Sequence, residues 1–285
     1  MLKNNSSLKP FLKWAGGKRQ LLPEIKKQFP VHVEEYNYYE PFLGGGAVFF
    51  DLQPRKAVIS DTNSQLIMTY MAIKMDLENL MTLLADYKQK NDKEYYYSIR
   101  NLDRDSKHFN TLSDTEKAAR FIYLNKTCFN GLYRVNAAGL FNVPFGKYKN
   151  PSLYEEPVLQ NIHEYFNSSA VTILNEDFES AVSNADTKSF IYFDPPYHSP
   201  DKTNFTGYQS KGFDENEQER LQRVMVRLTE RGLRCLLSNA DTEFIRDIYN
   251  HHYFHLIPVK AKRLINSDSA GRGSVSEVLV KNWSD

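Results

Sequence analysis

The chain has 285 residues, 41% of them hydrophobic and 25% charged, enough for one large α/β domain with an insertion or for two modest domains, and too apolar for wholesale disorder. Its formal net charge is only +1, so no whole-protein basic field marks a nucleic-acid binder. Two distant cysteines, Cys128 and Cys235, with no CxxC pair and no Cys/His cluster, exclude a zinc site and a disulfide scaffold, so no metal is expected.

Residues Met1 to Phe11 lack the apolar core of a signal peptide, and no run nears the roughly 18 apolar residues of a membrane helix; the expectation is a cytoplasmic protein with no membrane partner. Leu21, Leu22, Ile25 and Phe29 recur at helical spacing and predict a helix over 17–29. Tyr36 to Tyr39 reads as a strand running into the glycine-rich turn Glu40-Pro41-Phe42-Leu43-Gly44-Gly45-Gly46. Ala47 to Leu52 follows as helix and Ala57 to Ile59 as a second strand ending at Ser60-Asp61. Strand, glycine turn, helix and strand make a βαβ unit, the start of a parallel sheet.

Residues 65 to about 125 read as mostly helical, and Asn125 to Pro151 as loops and a hairpin, because Asn, Gly and Pro rise there and periodicity fails. Strand character resumes at Val171 to Leu174, before Asp177, and at Ser189 to Phe193, before Asp194-Pro195-Pro196-Tyr197. A charged amphipathic helix covers 214–231, and a further strand runs from Arg234 to Leu237 into Ser238-Asn239. Tyr253 to Val259 and Val275 to Lys281 can pair as a closing hairpin. The basic stretch Lys260 to Arg272 between them reads either as a loop that orders on DNA or as a solvated hairpin loop. Sheet signals thus fall in two blocks flanking a helical and irregular insertion.

Three features carry chemistry. Phe42-x-Gly44-x-Gly46 lets the backbone turn sharply and a ligand approach closely, and Asp61, 21 positions after Glu40, has the spacing of a ribose-binding acid. Phe49 breaks the full GxGxxG pattern, which leaves a mononucleoside-like cofactor; taken alone the segment can equally be a plain turn. Asp194-Pro195-Pro196-Tyr197 ends an apolar strand. Two prolines remove two donors and fix two φ angles, so the turn presents a carboxylate and carbonyls as rigid acceptors, suited to a planar amino group; a proline-rich turn with a solvated Asp is the plainer alternative. Between 117 and 149, Lys117, Arg120, Lys126, Arg134, Lys147 and Lys149 interleave with Phe121, Tyr123, Phe129, Tyr133, Phe141, Phe145 and Tyr148, with no Asp or Glu. Such a segment can contact phosphates and wedge between bases, while Phe121 and Tyr123 on a helix read as core. The seven histidines form no ligand cluster.

Phe42-Leu43-Gly44-Gly45-Gly46 and Asp194-Pro195-Pro196-Tyr197 resemble the two main motifs of amino-group DNA methyltransferases, in the order of their α class. Phe11-Leu12-Lys13-Trp14-Ala15-Gly16-Gly17-Lys18, Asn130-Gly131-Leu132-Tyr133-Arg134 and Phe141-Asn142-Val143-Pro144-Phe145-Gly146 narrow the resemblance to the Dam-like adenine methyltransferases. It implies an α/β, Rossmann-like S-adenosylmethionine-dependent methyltransferase fold, with residues 1–70 and 165–285 catalytic and a mainly helical target-recognition domain inserted at 71–164. It implies that Trp14, Lys18, Glu40, Phe42, Gly44 and Gly46 line the cofactor site, that Asp61 holds the ribose, and that Asp177 and Phe178 bind the adenine of S-adenosylmethionine. Asp194, Pro195, Pro196 and Tyr197 would act on the target base. Lys13, Lys126, Asn130, Leu132, Tyr133, Arg134, Asn136 and Lys147 would contact double-stranded DNA, with GATC as the leading site, Lys13 at its first base and Arg134 reading guanine. The expected enzyme is a monomer that leaves S-adenosylhomocysteine as product; a cognate restriction endonuclease, if any, acts separately.

Overall fold

A computed structural model describes residues 8–200, 212–262 and 274–284. In chain order the described elements are α1 (Leu22–Lys27), β1 (Asn37–Glu40), α2 (Ala47–Leu52), β2 (Lys56–Ser60), α3 (Ser64–Met75), α4 (Leu77–Gln89), α5 (Lys93–Asn101), α6 (Ser106–Thr111) and α7 (Asp114–Thr127). They continue with α8 (Glu156–Ser168), β3 (Ala170–Leu174), α9 (Phe178–Ala181), β4 (Ser189–Phe193), α10 (Glu215–Glu230), β5 (Arg234–Ala240), α11 (Glu243–Ile248), β6 (His255–Lys262) and β7 (Ser274–Lys281).

The described strands form one seven-stranded sheet in the order β3-β2-β1-β4-β5-β7-β6. Pairing is parallel from β3 through β5, while β7 runs antiparallel to both β5 and β6, so the closing hairpin inserts its second strand into the sheet. This is the Rossmann-like α/β arrangement that the resemblance implies. The chain builds outward from β1 to β3, then returns to lay β4 on the other side of β1. The crevice between the carboxyl ends of β1 and β4 is therefore the topological switch point, where open α/β sheets bind ligands.

Strand alternation divides the core between the two faces of the sheet. Phe190 and Tyr192 of β4 join one cluster with Phe49, Phe50, Tyr70 and Phe166, beneath α2, α3 and α8. Ile191 and Phe193 join the other with Leu221, Val224, Met225 and Leu228 of α10. Buried on both faces, β4 is an unbroken apolar run, as central parallel strands are. The first cluster continues without a break into the insertion, through Leu80, Leu84, Tyr96, Ile99 and the α7 residues Ala118 to Leu124. Helix α7 starts with a capping box between Ser113 and Glu116 and packs on α3, α4 and α5. Phe121 and Tyr123 are core, at 2% and 0% exposure.

Beyond α7 the chain forms a loop region held by two isolated bridges, Cys128 with Phe145 and Val135 with Phe141, in place of a regular hairpin. Its anchor is Asp103. That carboxylate accepts from the Phe141 amide at 3.0 Å and pairs at 2.7 Å with Arg120, whose guanidinium is buried and also donates to the Ile99 and Arg100 carbonyls. Two departures from the periodicity reading stand out. The helix expected over 17–29 is a 3-10 turn, Lys18–Gln20, followed by α1, because Pro23 in the first turn has no N–H to extend a helix from Gly17. The stretch 152–168, given no element from sequence, supplies α8.

The N-terminal segment crosses the molecule as a strap. Asn125, buried at 1%, accepts from the Lys13 amide (2.9 Å) and donates to the carbonyls of Lys13 (2.8 Å) and Gly131 (3.2 Å). One side chain thus ties the strap to α7 and to the loop that follows. Asn125→Ala leaves three backbone groups without their partner and is expected to lower the unfolding free energy by about 2 kcal/mol in urea titrations.

Candidate active site

Every acidic residue of interest lies at the carboxyl edge of the parallel strands: Glu40 ends β1, and Asp61, Asp177 and Asp194 follow β2, β3 and β4. At the β1 turn, Gly44 and Gly46 adopt φ of 50° and 68°, a region favoured by glycine. Asp61 shapes this turn, accepting from the Gly44 amide with one oxygen and from the Asn63 amide with the other, each at 2.9 Å. Trp14 lies against it: a Cβ at Gly44 would come within 2.8 Å of the indole Cδ1. The indole also stacks on Tyr133, with centroids 5.7 Å apart.

The Asp194 turn faces this loop. Lys18, almost wholly buried, places Nζ 2.7 Å from Asp194 Oδ1, 2.7 Å from the Gly16 carbonyl and 4.5 Å over the Tyr197 ring. Ser238 Oγ donates to the same Oδ1 at 2.9 Å and accepts from the Tyr192 hydroxyl. Oδ2 of Asp194 and the Pro195 carbonyl accept no hydrogen bond among the described residues. Burial raises the Asp194 carboxyl above its ordinary value, with Lys18 and Ser238 opposing the shift. The rest of the turn is pinned from behind. Gln218 donates to the Pro196 carbonyl at 2.9 Å, Asn239 takes the His198 amide at 3.0 Å and donates to Gln218, and the Tyr197 hydroxyl donates to Glu277 at 2.6 Å.

Glu40 lies inside the protein, not on the cleft wall. It accepts from the Tyr38 hydroxyl at 2.7 Å, and burial, reinforced by nearby Asp194, pushes its carboxyl up to about 8 despite bonds from Tyr38 and the Phe49 amide. On the far side of the glycine turn, Phe42 stacks on Phe178 at 5.2 Å. Arg220 sits 4.1 Å over Phe178 and grips Asp177 with two bonds of 2.9 and 2.6 Å. Burial alone would raise the Asp177 carboxyl; the Arg220 guanidinium and the Glu179 amide outweigh it and hold it below its ordinary value.

The residues expected to meet DNA are split by the loop's alternation. Leu132 and Arg134 are exposed, whereas Gly131 and Tyr133, which alternate with them, are buried. Asn130, at φ 55°, and Phe129, 51% exposed, form the projecting tip. The Arg134 Nε donates to Asn142 at 2.8 Å. Lys13 and Lys126 line a cavity of about 300 Å³ with Phe11, Tyr148, Tyr154 and Glu155. The Lys13 ammonium lies 4.7 Å over Tyr148, and burial together with that charge brings the Lys126 amine down to about 8. Lys147 is exposed at φ 53°. Tyr133 and Asn136 are used differently from expectation. The Tyr133 ring is enclosed by Trp14, Phe121 and Phe141, and the Asn136 side chain caps its own turn by accepting from the Ala138 and Leu140 amides.

Residues 14–265 match the family model described as D12 class N6 adenine-specific DNA methyltransferase. The chain belongs to this family. It is 42% identical to the Type II methyltransferase M1.LlaDCHI of Lactococcus lactis subsp. cremoris, over 99% of this chain and 98% of that one. It is 40% identical to the Type II methyltransferase M.MjaIII of Methanocaldococcus jannaschii, over 97% and 99% respectively. With the DNA adenine methylase of Escherichia coli K12 it shares 35% identity over 95% of this chain and 94% of that one. In this D12 methyltransferase the N-terminal segment touches both turns: Lys18 pairs with Asp194, and Trp14 packs on the glycine turn, where Asp61 accepts from the Gly44 amide. Sequence reasoning missed Ser238, Asn239, Gln218 and Glu277. Ser238 and Asn239 do end a strand at the ligand-binding edge, which was a usable signal; Gln218 and Glu277 are polar residues in a charged helix and a terminal strand, and nothing local singles them out.

Of the basic stretch Lys260 to Arg272, residues 263–272 lie outside the described residues. Among the described residues no group of three or more His, Cys, Asp or Glu could hold a metal ion, and no helix is long and apolar enough to cross a membrane.

Glu40 sets a pH dependence. Its folded value, about 8, lies above the ordinary 4.5, so the native state keeps a proton that the unfolded chain releases between those limits. The contribution of Glu40 to stability is then fully present at low pH and falls by about 1.4 kcal/mol per pH unit as pH rises through this window. Glu40→Gln keeps the acceptor for Tyr38 and removes the titration. In urea melts of the free protein the variant should gain on wild type from pH 5 to about 8; parallel curves would contradict the buried, protonated carboxyl.

Proposed function

We propose that this D12 methyltransferase transfers a methyl group from S-adenosylmethionine to N6 of an adenine everted from a short duplex site, with GATC as the first candidate. The observation that carries the reading is the pair of acceptors, Asp194 Oδ2 and the Pro195 carbonyl, that take no hydrogen bond among the described residues, on a rigid turn at the switch point. The adenine amine is a weak nucleophile because its lone pair is delocalised into the ring. Acceptors aimed at its two hydrogens favour the tetrahedral geometry and the positive charge that develop on attack. Lys18 and Ser238 hold Oδ1, which leaves Oδ2 to face the amine.

The residues present fit the cofactor. Trp14 packs on a glycine turn that tolerates no Cβ at Gly44, and Lys18 beside Asp194 offers both charges that an amino-acid moiety needs. When bound, S-adenosylmethionine supplies an electrophilic methyl on a sulfonium. Trp14, Lys18, Gly44 and Gly46 would hold it with Asp61 at the ribose and Asp177, Phe178 and Phe42 around the adenine, while Glu40 supports the turn from beneath.

Eversion of the target base costs a few kcal/mol of stacking, and Tyr197 offsets part of it by stacking on the base. The 71–164 unit reads the site. Lys13 and Lys126 face the duplex, Asn130 and Leu132 enter it, and Arg134, aligned by Asn142, pairs with guanine. The resemblance of this unit to Dam-like segments supports GATC. A cognate endonuclease, where one exists, would act as a separate protein.

Asp194→Ala should lower single-turnover methylation by about 10²-fold or more, and wild-type product digested to nucleosides should contain N6-methyladenine; near-normal turnover of the variant, or a different methylated nucleoside, refutes the assignment. Arg134→Ala should lose discrimination at one guanine by about 1–3 kcal/mol, read from methylation of single-substituted duplexes. A uniform loss on all duplexes would make Arg134 a phosphate contact instead.

A further inference from the structure

Tyr197 is joined at its hydroxyl to a residue from the opposite end of the catalytic sequence. Glu277 sits on β7, the antiparallel strand wedged between β5 and β6, opposite Ala240 and Val259. Its Oε2 accepts from the Tyr197 hydroxyl at 2.6 Å, a short bond across 80 residues of chain. The phenol stays the donor, because burial and then the charges of Asp194 and Glu277 push its pKa well above the ordinary value.

A tyrosine ring that only follows two prolines is fixed at its backbone and free to turn at χ1 and χ2. The hydroxyl is the atom farthest from the backbone, so anchoring it removes most of that freedom. The Lys18 ammonium over the ring, 4.5 Å from its centroid, holds a face, and Glu277 holds the tip. Asn239, one residue before Ala240 on β5, holds the next amide of the turn, that of His198. The β5–β7 edge therefore grips the turn at two successive residues.

We propose that Glu277 is a positioning residue for methyl transfer, holding the Tyr197 ring in the plane on which the everted adenine stacks. This rests on the stacking role proposed for Tyr197. An adenine tilted by a loose ring would present its amine off the line set by Asp194 Oδ2 and the Pro195 carbonyl, and a misplacement of about 1 Å can cost about 10²-fold in rate.

The test measures single-turnover methylation, dissociation constants for duplex and for S-adenosylmethionine, and thermal melting in Glu277→Ala, Glu277→Gln, Tyr197→Phe, Tyr197→Ala and the double variant Tyr197→Phe/Glu277→Ala. Glu277→Ala and Tyr197→Phe cut the same bond from opposite sides, so a folding defect in either one leaves the other to report. The expected result is a loss of about 10- to 100-fold in the transfer rate in both, with both dissociation constants within about twofold of wild type. The double variant should be no slower than Tyr197→Phe, and Glu277→Gln, which keeps an acceptor oxygen, should recover most of the rate. Wild-type rates in Glu277→Ala, additive losses in the double variant, or a normal Tyr197→Phe beside a crippled Tyr197→Ala would overturn the tether while leaving the stacking role intact. A Tyr197→Ala variant that methylates at the wild-type rate would instead refute the stacking role itself.

Discussion

The ion pair between Lys18 and Asp194 is the constraint on which the cleft depends. Two charges withdrawn from water lose several kcal/mol of hydration each, and such a pair persists only where both partners find further hydrogen bonds. Here Lys18 finds the Gly16 carbonyl and Asp194 finds Ser238, itself backed by Tyr192. Stability is not the main return, since a buried ion pair is seldom better than a well-packed apolar one. What it secures is geometry: the N-terminal strap is drawn across the switch point, and one oxygen of Asp194 is committed to Lys18 and Ser238.

The strap also joins the two halves of the enzyme's task. Lys13 is clamped by Asn125 of α7 and packed against Gly131, where a Cβ would meet its side chain at 2.2 Å. One residue on, Trp14 lies on the glycine turn and stacks on Tyr133, whose hydroxyl bonds to Asn63 beside Asp61. The loop that presents Asn130, Leu132 and Arg134 is thus in van der Waals continuity, through Trp14 and Tyr133, with the glycine turn. The shared core beneath them, running from Phe49 to Ile99 and Phe121 without interruption, makes the two units one packed body.

How much of this could be read beforehand depends on how local the signal is. The βαβ unit over Asn37–Ser60, α2, β4 with its Asp-Pro-Pro-Tyr turn, and α10 were legible because glycine, proline and a period of two or 3.6 act within a few residues. The break of the first helix at Pro23 was legible in principle, and its apolar spacing masked it. In the loop after α7, composition marked a basic, aromatic segment, yet it could not say that Tyr133 turns inward to Trp14 while Arg134 turns outward, because two isolated bridges and the Asp103–Arg120 pair set that alternation.

By itself the sequence determined the fold class and the family, since each rests on residue types in short, ordered motifs. Only the tertiary structure decided which carboxylates face the cleft and which are spent inside. Asp61, Asp177, Glu40 and Asp194 look alike as letters; they differ because one shapes a backbone turn, one is gripped by Arg220, one is buried beside Tyr38, and one pairs with Lys18 through a single oxygen while its other accepts no hydrogen bond among the described residues. The same holds for Gln218, Ser238, Asn239 and Glu277, which converge on the Asp194–His198 turn from α10, β5 and β7. A hydrogen bond is made at about 3 Å in space, and no spacing along the chain encodes which distant strands a sheet will set side by side.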